Sequence, residues 1–151
     1  MRVVIQRVRN AAVDVPDQGY RAEIGGGLLV LAAFLDEDTQ EDLEWTARKL
    51  VAMRIFDDAQ GVMNLSVKDV KGEVMVVSQF TLYASTVKGN RPSYIKAAKP
   101  EIAVPLYEKF VSLVEEQLGQ EVRRGIFGAD MKVSLLNDGP VTIIVDSKLK
   151  F

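Results

Sequence analysis

Apolar positions along this chain follow two rhythms, and they divide it into short strands and two helices. Residues 2–8 and Ala11-Ala12-Val13-Asp14-Val15 predict two strands. Asp17-Gln18-Gly19 marks a turn into a third, Tyr20–Ile24. Gly25-Gly26-Gly27 leads into the unbroken apolar run Leu28–Leu35, whose length predicts a strand buried on both faces. The glycines precede a strand instead of joining strand to helix, so they do not form a phosphate loop. The rhythm then changes. Asp38 or Thr39 followed by Glu41 or Asp42 reads as a capping box. Leu43, Ala47, Leu50 and Val51 share one helical face, which predicts a helix to about Met53. Ile55-Phe56 predicts a short strand, Asp58–Gly61 a turn and Met63–Val67 extended chain. Lys71-Gly72 turns into a strand running from Val74 to Ala84. Residues 85–99 read as an irregular loop. A second helix spans about Pro100 to Leu118, with Tyr107, Phe110, Val111, Val114 and Leu118 on its apolar face and Gly119 as C-terminal cap. Pro105 either begins its regular part or kinks it. Strands at about 121–127, 131–136 and 141–147 complete the chain. The order predicts an α+β fold with a mixed or antiparallel curled sheet, or a barrel-like core, and two main helices.

One stretch breaks the apolar pattern in an informative way. Ser78-Gln79-Phe80-Thr81-Leu82-Tyr83-Ala84 extends the run Val74–Val77. As a strand it would put Gln79, Thr81 and Tyr83 on one face with Val77. Burying an unpaired polar group costs about 1–3 kcal/mol, so Gln79 and Thr81 need partners or a ligand.

Composition sharpens this. The chain has 151 residues, the length of one domain, with no His and no Cys. A Ser-His-Asp triad, a histidine base, a thiol nucleophile and a disulfide framework are therefore excluded. No carboxylate loop suggests a metal; Asp57-Asp58 reads as turn chemistry, and no cofactor is expected. No apolar run approaches the ~18 residues of a membrane span, and arginines interrupt the N-terminal apolar run, so the expected location is the cytoplasm. The net charge of −2 argues against broad nucleic-acid binding, yet Lys88, Arg91, Lys96 and Lys99 form a local basic cluster without intervening acids.

A second constellation, Asn137-Asp138-Gly139-Pro140-Val141-Thr142, lies between the last two strand runs. Asp-Gly is a strong hairpin signal. Pro140, however, has no N–H for a ladder, and a bond preceding proline is cis at a cost of only ~0.5–1 kcal/mol. A cis Gly-Pro unit would present carbonyl oxygens on stiff backbone and serve as a gauge of ligand shape.

Taken together, Ser-Gln-Phe-Thr at 78–81 and Gly-Pro-Val-Thr at 139–142 resemble the D-aminoacyl-tRNA deacylases. The N-terminal Met1–Val8, Met63–Val67 and Gly89–Tyr94 resemble them too, so the likeness covers the whole chain; residues 12–23 depart most from the pattern. The resemblance implies a homodimer that hydrolyses the ester joining a D-amino acid, or glycine, to the 3′-terminal adenosine of tRNA. It assigns the reaction to Ser78, Gln79, Phe80 and Thr81. Gly139 and Pro140 match a Gly-cisPro element that enters the partner's pocket and excludes L side chains, with Asn137 at its start. Arg7 would anchor that loop through its carbonyls, and Lys88, Arg91, Lys96 and Lys99 would meet acceptor-stem phosphates. An aminoacyl ester is already reactive, so positioning and backbone donors near Phe80 and Thr81 suffice to stabilise an oxyanion. Thr81 reads as a positioning group before a nucleophile, since nothing activates its hydroxyl. Two rival readings remain: a non-catalytic dimeric RNA-binding module, and a hydrolase of another acyl ester.

Overall fold

The computed structural model describes residues 1–150. Strand β1 (Arg2–Val15) is the hub of the sheet. Its residues 2–8 pair antiparallel with β3 (Gly27–Ala33), and residues 11–15 with β2 (Tyr20–Ile24). The opposite edge of β1 pairs with β8 (Lys132–Asp146) from Arg2↔Asp146 to Asp14↔Lys132. Beyond β3, β6 (Glu73–Ser78) and β7 (Arg123–Arg124) add in parallel. A small hairpin, β4 (Phe56–Asp57) and β5 (Met63–Leu65), stands apart. The mixed sheet curls until β2 approaches β7, where the Tyr20 hydroxyl donates to the Arg124 carbonyl at 2.6 Å. This is the expected α+β architecture, nearly closed into a barrel-like core.

Alternation along β3 explains its apolar run. Leu28, Val30 and Ala32 face one cluster, and Leu29 and Leu31 face another. The larger cluster lies beneath the helices α1 (Gln40–Ala52) and α2 (Pro100–Leu118). The smaller fills the concave side with Val8, Val13, Met75 and Val77. Thr39 caps α1 with the reciprocal Asp42 bond of a capping box, and α2 ends on Gly119 at φ 78°. Pro105 sits inside α2, which starts at Pro100. Among the described residues no helix is long and apolar enough to cross a membrane.

Four expectations are corrected. Residues 2–15 form one strand, not two. Arg9 and Asn10, which separate the two expected runs, lie at a register shift against β8. The strand survives there because both its halves are paired on the other edge. Next, β6 stops at Ser78, and Phe80–Tyr83 form a 3₁₀ turn instead of continuing as strand. Its partner runs out: the β3 register ends at Ala32↔Ser78. Finally, the 131–136 and 141–147 runs are not two hairpin strands. Both belong to β8 and pair in one direction with β1. The 121–127 run shrinks to the two residues of β7.

Candidate active site

The end of β6 and the 3₁₀ turn form one wall of a cleft of about 330 Å³. Gln79 N–H donates to the Ala32 carbonyl at 2.7 Å, which ties the turn to the end of β3. Leu82 N–H then donates to Gln79 O at 3.1 Å and Ala84 N–H to Thr81 O at 3.0 Å. The turn replaces the alternation expected of a strand. Tyr83 is buried, Phe80 is 53% exposed, and the Phe80 ring meets Tyr94 edge-on at 5.1 Å. Gln79 and Thr81 still find each other: the Gln79 amide donates to Thr81 Oγ1 at 2.5 Å. Each polar side chain thereby satisfies the other. As the first two residues of the turn, Phe80 and Thr81 have N–H groups with no intra-turn acceptor, and among the described residues no other acceptor meets them. Two neighbouring backbone donors are therefore left without a protein acceptor, one of them on the cleft-lining Phe80.

Ser78, Gln79 and Phe80 line this cleft; Thr81 does not, and its hydroxyl communicates with it through Gln79. The opposite wall was not foreseen from sequence. It consists of Phe127–Met131 and Val133, with Ala98 and Ala103 at the base. Gly128 marks a turn there, but only the pairing of β8 with β1 brings that turn towards Ser78, a long-range fact no local pattern carries.

The Asn137–Thr142 segment lies elsewhere. Asn137 pairs with Val8 and Thr142 with Gln6, so residues 138–141 bulge out opposite Arg7 alone. The Gly139–Pro140 peptide is cis. Arg7 is buried, and its Nε donates to Asp138 O at 2.9 Å while Nη1 donates to Ile55 O at 2.6 Å. One guanidinium thus fastens the bulge to the base of the β4–β5 hairpin. Asp57 adds a looser ion pair at 3.7 Å. Gly139 has φ 128°, and a Cβ there would stand 2.9 Å from Arg7 Nη2. Gly139, Pro140 and Asn137 are exposed, and none lines the chain's own cleft. One chain does not bring the two motifs together.

The basic residues are also separate from the cleft. Lys88 and Arg91 ride on a loop closed by paired Ser85–Ser93 hydrogen bonds of 2.8 and 2.9 Å. Lys96 borders a different cleft, and Lys99 precedes α2 as its N-cap; all four are exposed. Among the described residues no group of three or more acidic side chains is arranged to hold a metal ion.

A family model described as D-Tyr-tRNA(Tyr) deacylase matches residues 4–146. The chain belongs to that family. As a deacylase it is a hydrolase of ester bonds. D-aminoacyl-tRNA deacylases of Flavobacterium psychrophilum and Parabacteroides distasonis are 63% and 61% identical to it, each over 99% of both chains. The solved structure of a c-Myc DNA Unwinding Element Binding Protein superimposes with a TM-score of 0.88 at 39% identity, over 97% of this chain and 98% of the other. A structure described as a probable eukaryotic D-amino acid tRNA deacylase shares the fold, with a TM-score of 0.83 at 20% identity over 95% and 97% of the two chains.

Proposed function

We propose that this deacylase hydrolyses the ester between a D-amino acid, or glycine, and the 3′-terminal adenosine of tRNA, as a cytoplasmic homodimer. The observation that carries the reading is the free pair of N–H groups on Phe80 and Thr81 beside a cleft walled by Gln79. Water adds to the acyl carbon, the negative charge that builds on the former carbonyl oxygen meets those two donors, and the bond to the ribose oxygen then breaks, with that oxygen taking up a proton given up by the attacking water. A preformed donor of this kind typically contributes 10²–10³ in rate. The Gln79–Thr81 bond fixes the geometry, so Thr81 positions the ester instead of attacking it. The substrate's own 2′-hydroxyl assists; a 2′-deoxy terminal adenosine cleaved at an unchanged rate would refute that step.

The selectivity comes from Gly139 and Pro140 of a second copy. Two observations support this. The bulge is exposed, outside its own cleft and clamped by Arg7. Strand β8, which carries it, also exposes Leu135, Leu136 and Ile144 and has no strand on its outer edge among the described residues. Long bare edges of this kind are normally covered. Fixed backbone rejects a wrongly placed side chain by collision, whereas an extra methylene-sized contact is worth only ~1–3 kcal/mol.

The test is release of free amino acid from D- and L-aminoacyl-tRNA. The wild type should cleave the D substrate and spare the L. Thr81→Ala should lower kcat/KM about 10²-fold, the scale of a small misplacement at a reacting centre. Mixing Thr81→Ala subunits with Gly139→Ala subunits tests the cross-subunit arrangement. If the gauge acts in trans, half of each mixed dimer is an intact site and D-selective hydrolysis returns. If it acts in cis, mixing restores nothing.

A further inference from the structure

The turn that carries Gln79 and Thr81 is held from behind by a residue from the far end of the sheet. Arg2 lies at the start of β1, directly across from Asp146 at the end of β8. Its Nε donates to Asp146 Oδ2 at 2.8 Å and its Nη1 to the Leu82 carbonyl at 3.0 Å. The guanidinium also lies over the Tyr83 ring, 4.8 Å from the centroid. Within the short turn the Leu82 carbonyl has no helical partner to serve, because the next candidate donor, Ser85 N–H, goes to Ser93. Arg2 supplies the missing donor. Asp146 is itself fixed: its Oδ1 accepts from the N–H groups of Lys148 at 2.8 Å and Leu149 at 3.0 Å. Burial alone would raise the Asp146 carboxyl, but the Arg2 bond and those two N–H groups outweigh it and hold the carboxyl below its ordinary range. The carboxylate that orients Arg2 is therefore charged at neutral pH.

We infer that Arg2, oriented by Asp146, is a positioning residue that locks the 80–83 turn and so aligns the Phe80 and Thr81 N–H groups and the Gln79–Thr81 bond. The lock reaches the residues immediately after Thr81 by two directed contacts from one rigid, planar cation, the Leu82 carbonyl and the Tyr83 ring face, while a third, to the Asp146 carboxylate, fixes the cation itself. Lysine cannot reproduce that fork. Arg2 does not line the cleft, so its effect on the reaction passes through the turn. The consequence for catalysis rests on the function proposed above; the mechanical lock does not.

Two measurements on Arg2→Ala and Arg2→Lys decide it. The first is hydrogen exchange at the amides of Leu82 and Ala84, which close the turn. Exchange there should rise at least tenfold in both variants, with β1, β3 and β6 amides unchanged. Wild-type protection at those two amides, or a uniform rise across the sheet, would overturn the lock. The second is steady-state deacylation of D-aminoacyl-tRNA. Arg2→Lys should lower kcat tenfold or more with KM within twofold, and methylguanidinium should recover part of the kcat of Arg2→Ala. An unchanged kcat, or a loss expressed only in KM, would overturn the catalytic consequence. If wild-type protein releases no amino acid, the proposed function fails while the exchange experiment still judges the lock.

Discussion

Tyr83 buries a hydroxyl that meets no partner among the described residues. Burial, with the Asp146 and Asp38 carboxylates nearby, pushes that phenol well above its ordinary range, so it stays neutral. An unsatisfied buried hydroxyl costs about 1–3 kcal/mol, and the ring alone is what Arg2 covers. Tyr83→Phe should therefore stabilise the fold by about 1 kcal/mol; a urea midpoint at or below the wild-type value would contradict the assignment. Glycine at 27 serves the opposite purpose, since it makes room. A Cβ at Gly27 would stand 1.8 Å from the Glu73 carbonyl oxygen, on the backbone of the neighbouring strand. At Gly25 the nearest atom is the end of the Glu73 side chain at 3.4 Å. Gly27→Ala should cost about 3 kcal/mol, the upper range of overpacking, and Gly25→Ala well under 1 kcal/mol. Equal denaturation midpoints for the two variants would show that β3 and β6 do not approach so closely.

Among the elements, the helices and buried β3 were legible in the sequence because their signals are local. The capping box at Thr39–Asp42 and the face Leu43, Ala47, Leu50, Val51 require no knowledge of neighbours. The 79–84 segment was misread because Phe80, Thr81 and Tyr83 are good strand formers; what stops the strand is the end of its partner at Ala32, which sequence does not display. The same holds for Asn137–Thr142. Asp-Gly suggested a hairpin, yet pairing of both flanks with β1 turns it into a bulge opposite Arg7. Ser78, Gln79 and Phe80, one wall of the cleft, were thus visible in the sequence, and the far wall, Phe127–Met131, was not. Helix α1 also carries an acid-sensitive contact. Asp42 Oδ2 accepts from Thr39 N–H and Oγ1 at 2.8 and 2.9 Å and from Lys148 Nζ at 2.7 Å. Burial opposes ionisation, but the Lys148 and Thr39 bonds dominate and hold the carboxyl far below its ordinary value. A depressed carboxyl stabilises the fold above its unfolded pKa of about 3.9, and the contribution is lost as pH falls towards the folded value. Asp42→Asn should therefore unfold earlier than wild type in urea at pH 7, and the gap should narrow below about pH 4. A gap that is constant from pH 7 to pH 2 would exclude the charge as its cause.

At the scale of the whole molecule, a net charge of −2 must be reconciled with a polyanionic substrate. The distribution offers a way. Lys88 and Arg91 stand exposed on the Ser85–Ser93 loop, joined to the turn that carries Thr81 by Ala84. Neither is engaged by an acidic side chain among the described residues, unlike Arg124 with Glu108 at 2.5 Å or Lys132 with Asp130 at 2.9 Å. Charges free of internal partners can displace counterions from RNA, and each phosphate neutralised steepens the salt dependence of binding by about one unit. Phosphate contacts of this kind, made equally in ground and transition states, would act on KM and leave kcat alone. The double variant Lys88→Ala/Arg91→Ala should raise KM for D-aminoacyl-tRNA about tenfold, the scale of ~1.4 kcal/mol, with kcat within twofold. It should also flatten the slope of log(kcat/KM) against log[salt] by about 2. Hydrolysis of a D-aminoacyl-adenosine, which lacks the acceptor stem, should not change. If that minimal substrate suffers as much as the full tRNA, the two residues act by supporting the 80–83 turn and the RNA is gripped elsewhere.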